Sequence, residues 1–252
     1  MPCEDGIQIK DRAKDLGVLA TNDLNFREHI NNITLSSRIT MGMLLRTFST
    51  RDKEPMIKMF NTYIKSKLEY CCIVWSPVEQ KYINELEDIQ KIYTKKIDGM
   101  EDLDYHERLK SLKMYSLERR RDRYLIIYGW QQIENIKENV LKLEVNINRR
   151  IKQGHTPGYG TERVGTERVR ILRATQTKIH NFPARKIERA FNCMPSELRN
   201  MTGVKTETFK KHLDKWLSGV PDQPRGGGYA GQVAASNNSI QVQCKTNLTH
   251  TR

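Results

Sequence analysis

The sequence predicts a mainly α-helical protein: a helical bundle with a short N-terminal β-strand pair, a basic linker, a small C-terminal helical unit and a disordered tail. Three observations lead there. Apolar residues recur at spacings of three, four and seven over about 26–136 and again over 184–217. A strand-turn pattern stands out once, at 14–26. Gly154, Pro157, Gly158 and Gly160, and later Pro221, Pro224 and Gly226–Gly228, mark stretches that cannot sustain a helix.

At 14–26 (KDLGVLATNDLNF), Leu16, Val18 and Leu19 supply the apolar positions and Thr21-Asn22-Asp23 the turn chemistry. The first helix then carries Ile30, Ile33, Ile39, Met43 and Leu44 on one face. A second opens with Asp52 as cap and Pro55 in its first turn. It places Met56, Met59, Phe60, Tyr63, Ile64 and Leu68 in a stripe, runs through Cys71–Trp75 and stops at Pro77. Ser76-Pro77-Val78-Glu79 reads as a capping box for a third helix with Ile83, Leu86, Ile89, Tyr93 and Ile97 on one side, ended by Gly99. A brief segment at Tyr105–Leu112 precedes a long helix started by Ser116, bearing Leu117, Tyr124, Leu125, Ile127, Tyr128, Trp130 and Ile133. Thr206 caps a helix with Phe209, Leu213, Trp216 and Leu217 on one face. The expected divisions are 1–26, 27–143, a flexible basic linker at 144–183, a helical unit at 184–218 and a tail at 219–252.

The charge balance narrows the function. Among 252 residues, 43 Lys/Arg face 30 Asp/Glu, a net +13, which favours a polyanionic partner. The longest apolar run, Cys71–Trp75, is far short of the roughly 20 residues that span a membrane. The first ten residues, MPCEDGIQIK, hold no apolar signal core, so the expected location is intracellular, in nucleus or cytoplasm. Five cysteines are too few and scattered for a disulfide framework.

No active-site motif is found: GxxxxGK[ST], GxSxG, HExxH and GxGxxG are all absent. The six histidines are dispersed, and His106, beside Asp102, Asp104 and Glu107, reads as part of a solvated turn. Cys71 and Cys72 read as small hydrophobes with no activating base. No catalytic residue, metal ligand, cofactor or small-molecule substrate is expected. The chemistry lies in the arginines. Arg119, Arg120, Arg121 and Arg123 form a dense run, and three consecutive helical residues span about 200°, so one of Arg119–Arg121 leans toward the apolar face. Within 142–199, 13 Lys/Arg face 5 Asp/Glu. Arg149, Arg150, Lys152, Arg163, Arg168, Arg170 and Arg173 line a glycine-punctuated strap suited either to following a phosphate backbone or to solubilising a linker.

Five stretches in order resemble the C-terminal part of a LINE-type (non-LTR, jockey/CR1-like) retrotransposon reverse transcriptase. They are KDLGVLATNDLNFREHI at 14–30, LEYCCIVWSP at 68–77, ELEDIQKIYTKKI at 85–97, YHERLKSLKMYSLERRRDR at 105–123, and FNCMPSELRN with TFKKHLDKWL within 191–217. The resemblance implies that 14–26 ends a polymerase palm near its primer grip and that 28–136 is thumb-like, a cradle for template and primer. The family's metal-binding palm aspartates have no counterpart here. The expectation is a non-catalytic fragment with weak, salt-sensitive, sequence-independent binding of RNA or an RNA–DNA duplex. The alternative is a helical protein-interaction module whose partner covers Tyr124–Trp130 and the Phe209–Trp216 helix.

Overall fold

A computed structural model describes residues 11–134, 136–138, 144–147, 167–170, 183–223 and 238–247, with backbone alone for 144–147, 167–170 and 245–247. It bears out the mainly α-helical class with a short N-terminal strand pair. The chain divides into two compact units, 1–117 and 118–252. The division also separates charge. Residues 1–117 hold 18 Lys/Arg and 18 Asp/Glu, whereas 118–252 hold 25 and 12, so the whole surplus belongs to the second unit.

The first unit opens with an antiparallel hairpin, β1 (Arg12–Asp15) and β2 (Val18–Thr21), in register Asp15↔Val18 to Arg12↔Thr21. Its turn is Leu16-Gly17, not Thr21-Asn22-Asp23. Both turn residues have positive φ, 42° and 86°, as a two-residue hairpin loop requires. Leucine disfavours that conformation, and the Tyr70 hydroxyl donates to Leu16 O at 2.9 Å, tying the turn down. The Thr21 hydroxyl instead donates to Asn25 O at 2.8 Å and shapes the entry into α1.

Helix α1 (Arg27–Thr47) buries Ile30, Thr34, Ser37, Met41 and Leu44, a clean heptad row. Ile39 and Met43, expected on the inner face, are 63 % and 51 % exposed and join Leu35 in an outer row. Helix α2 (Lys53–Met59) begins after Asp52, whose carboxylate makes no cap bond and accepts from the Thr50 hydroxyl at 3.0 Å instead; it passes into a π-helical turn at Phe60–Lys65, then α3 (Ser66–Glu69). The wider turn rotates the stripe: Phe60, Ile64 and Leu68 are buried, while Tyr63 faces out. Cys71 adopts φ +50° and breaks the helix before α4 (Cys72–Trp75).

The capping box expected at Ser76–Glu79 does not form. Glu79 accepts from the Arg27 guanidinium at 2.7 and 3.2 Å, and α5 (Gln80–Thr94) begins beyond it. A true capping box closes α6 (Tyr105–Ser111): Asp104 Oδ2 accepts from His106 N, and Glu107 Oε2 from Asp104 N, each at 3.1 Å. His106 is buried, not part of a solvated turn. The core gathers Met56, Phe60, Trp75, Leu86, Ile89 and Tyr93. Buried Glu87 is its polar centre. Its carboxylate accepts from Leu117 N at 3.0 and 3.1 Å and from the Tyr105 hydroxyl, and Gln90 Nε2 donates to that hydroxyl at 3.0 Å.

The second unit is organised by α7 (Leu117–Ile133). Arg119, Arg121, Leu125, Ile126, Ile127, Trp130 and Gln132 are all buried, so the helix is covered on most of its circumference. Helix α8 (Pro183–Asn192) lies so close that a Cβ on Gly129 would fall 2.3 Å from Ile187 Cγ2. After α9 (Ser196–Arg199) comes α10 (Thr206–Ser218), where Phe209 stacks on Trp130 with ring centroids 4.3 Å apart. The expected flexible linker contains an antiparallel pair, β3 (Glu144–Ile147) with β4 (Glu167–Arg170). Pairing joins segments 20 residues apart, a contact that local composition does not encode. Part of the expected disordered tail is ordered as well. Helix α11 (Ile240–Asn247) is seated by Asp122 Oδ2, which accepts from Ile240 N at 2.8 Å, and by Glu118 Oε2, which accepts from Asn238 N at 3.1 Å. These carboxylates satisfy helix-terminal N–H groups that the polar sequence leaves open.

Candidate functional site

The arginine run does not form the expected cationic surface. Arg119 is fully buried, and its guanidinium donates to Val220 O at 3.3 Å and Pro221 O at 2.5 Å. Arg121 is 3 % exposed. Arg123 makes a bidentate ion pair with Asp214, at 2.5 and 2.8 Å, which raises its pKa. Arg119 and Arg123 are thus committed to holding α7 against the rest of its unit, and Arg121 is buried beside them. The reason is the near-complete burial of α7; Arg120, half-buried, lies over the Tyr124 ring at 5.6 Å. Arg149, Arg150, Lys152, Arg163 and Arg173 lie outside the described residues. Arg168 and Arg170 belong to β4.

A different set of cations is exposed. Lys205, Lys211 and Lys215 stand on or beside α10, and none pairs with a carboxylate among the described residues. Lys211 and Lys215 share one face, four residues apart. The signal was present in KTETFKKHLDKWL: once Phe209, Leu213 and Leu217 define the inner face, these lysines must lie outside it.

The first unit holds a cleft of about 530 Å³ beside the hairpin, between β1–β2 and the helices α1 and α3. Lys14, Leu19, His29, Ile33, Ser36 and Lys67 are among the residues lining it. Lys67 Nζ donates to Ser36 Oγ at 3.1 Å and Thr40 Oγ1 at 2.7 Å. His29 Nδ1 accepts from Leu19 N at 3.4 Å, and its ring meets Trp75 edge-on at 5.4 Å. Burial, helped by the charge of Lys14, lowers the His29 pKa below 6.5. The unfolded chain therefore protonates this imidazole first, and the first unit loses stability as pH falls below about 6.5. The stability of the first unit, followed by segment-resolved hydrogen exchange, is expected to fall from pH 7.5 to 5.5. A His29→Gln variant is expected to flatten that dependence, and an unchanged slope would count against it.

Among the described residues no group of three His, Cys, Asp or Glu could hold a metal ion, and no helix is long and apolar enough to cross a membrane. Cys72 is buried, and the Cys244 thiol pKa is pushed up by its hydrogen bond with Cys193 and by burial. The surfaces that the protein-interaction alternative would use, Tyr124–Trp130 and Phe209–Trp216, are joined to one another through the Trp130–Phe209 stack.

Fold and surface thus define a mainly helical chain whose positive charge is concentrated in one of two units. No family model matches it, and no solved structure matches it. It is similar to uncharacterized protein B0403.1 of Caenorhabditis elegans, 27 % identical over 118 residues, which cover 46 % of this chain. The match spans 60 % of that relative's length.

Proposed function

We propose that this chain is a non-catalytic piece of a LINE-type reverse transcriptase that holds RNA or an RNA–DNA duplex weakly and without sequence preference, through the cations of 118–252. The observation that carries the reading is the charge division: the first unit is neutral by residue count and the second holds the full +13. The five family-like stretches, in the family's order, support the same origin. Exposed Lys205, Lys211 and Lys215 supply backbone contacts, which position a duplex but carry no base information.

The test is fluorescence anisotropy of a labelled RNA–DNA hybrid with the full chain across a salt series. Binding is expected to weaken steeply with salt, and replacing the three lysines with Gln is expected to reduce the log–log slope by about 2–3. Salt-insensitive binding, or none at low salt, overturns the proposal. So does extension of an annealed primer by the purified chain. One observation favours the second reading, a protein-interaction module: Leu35, Ile39 and Met43 form an exposed apolar row on α1. Association that survives high salt and is lost in Ile39→Asp would support it.

A further inference from the structure

We propose that the cleft beside the hairpin binds a compact organic phosphate of about mononucleotide size, with the phosphate held between Lys14 and Lys67. The site lies in the unit without net charge, so it is separate from duplex binding by 118–252. Its volume, about 530 Å³, falls in the usual range of small-ligand pockets, roughly 300–1,000 Å³.

The polar lining selects for anions. Lys14 and Lys67 both line the cleft, and among the described residues no carboxylate does. Lys67 is half-buried, and its ammonium is held by two neutral hydroxyls, those of Ser36 and Thr40. An ammonium has three donors, so one remains for a ligand once these bonds are made. A partly desolvated cation without a counter-ion is costly, and an incoming oxyanion removes that cost. The Ser36 hydroxyl, which accepts from Lys67, keeps its own proton for a ligand oxygen. Lys14 lines the cleft from β1, on the hairpin side, and Lys67 from α3. Leu19, Ile33 and the Tyr70 ring provide an apolar wall for the body of the ligand.

Isothermal titration of the full chain tests this with adenosine 5′-monophosphate, inorganic phosphate and adenosine as probes. Saturable binding of the monophosphate, competed by inorganic phosphate and absent for adenosine, is expected. Lys67→Gln and Lys14→Gln are each expected to weaken it roughly tenfold or more. Lys14 is exposed on a strand, so its variant reports on the site even if Lys67→Gln disturbs packing. Hybrid binding by both variants should equal that of the wild type, which separates this site from the duplex reading. The proposal fails if the monophosphate does not saturate, if adenosine binds equally well, or if Lys14→Gln leaves the affinity unchanged.

Discussion

Trp130→Ala is expected to destabilise residues 118–252 by about 3–5 kcal/mol. Trp130 is 1 % exposed and stacks nearly parallel on Phe209, at 4°. Its indole N–H donates to Met201 O at 2.9 Å. Truncation therefore removes a large buried apolar surface, an aromatic pair and the partner of a carbonyl at once. Trp130→Phe keeps the ring contact and loses the hydrogen bond, so its cost is expected to be about 1–3 kcal/mol. Segment-resolved hydrogen exchange checks both. Amides of α7 and α10 should lose protection together in Trp130→Ala, and retention of wild-type protection would refute the packing described for this unit.

Glu87→Leu is expected to cost the first unit about 3 kcal/mol or more, although leucine is the more hydrophobic residue. The carboxylate is 1 % exposed and serves the N–H of Leu117 and the hydroxyl of Tyr105. Removing it strands both donors away from water. Glu87→Gln keeps a carbonyl acceptor and is expected to lose less than half as much. Denaturant unfolding followed by circular dichroism ranks the three proteins. A leucine variant as stable as wild type would show that this network contributes nothing.

Much of the helical pattern was legible because apolar spacing reports local geometry. Met56, Phe60, Ile64 and Leu68 keep one side through a π-helical turn, and Ile83, Leu86, Ile89 and Tyr93 lie where their periodicity puts them. Caps were harder to read. Ser-Pro-Val-Glu at 76–79 has the composition of a capping box, but Arg27, 52 residues away, draws off the glutamate. Asp-Tyr-His-Glu at 104–107 makes a real one in a stretch whose acidic residues around His106 read as a solvated turn. On α1 the inward Thr34 and Ser37 carry no hydrophobic signal, while the outward Ile39 and Met43 do, so apolar spacing points to the wrong face.

The exposed lysines of α10 could have been found from its amphipathic pattern, whereas the fate of Arg119–Arg123 could not. A guanidinium written in sequence is an available cation by default, and only its neighbours decide otherwise. The carbonyls of Val220 and Pro221 and the carboxylate of Asp214 come from segments about 90–100 residues further on.

By itself, the order of amino acids determined the helical class, the surplus of positive charge and the absence of recognisable catalytic motifs. These are properties of composition and short-range spacing, which each segment carries alone. Tertiary structure decided which charges face water, which helix sits at the centre of its unit and where a cleft opens. Burial and pairing depend on distant groups meeting, and no local pattern records such a meeting.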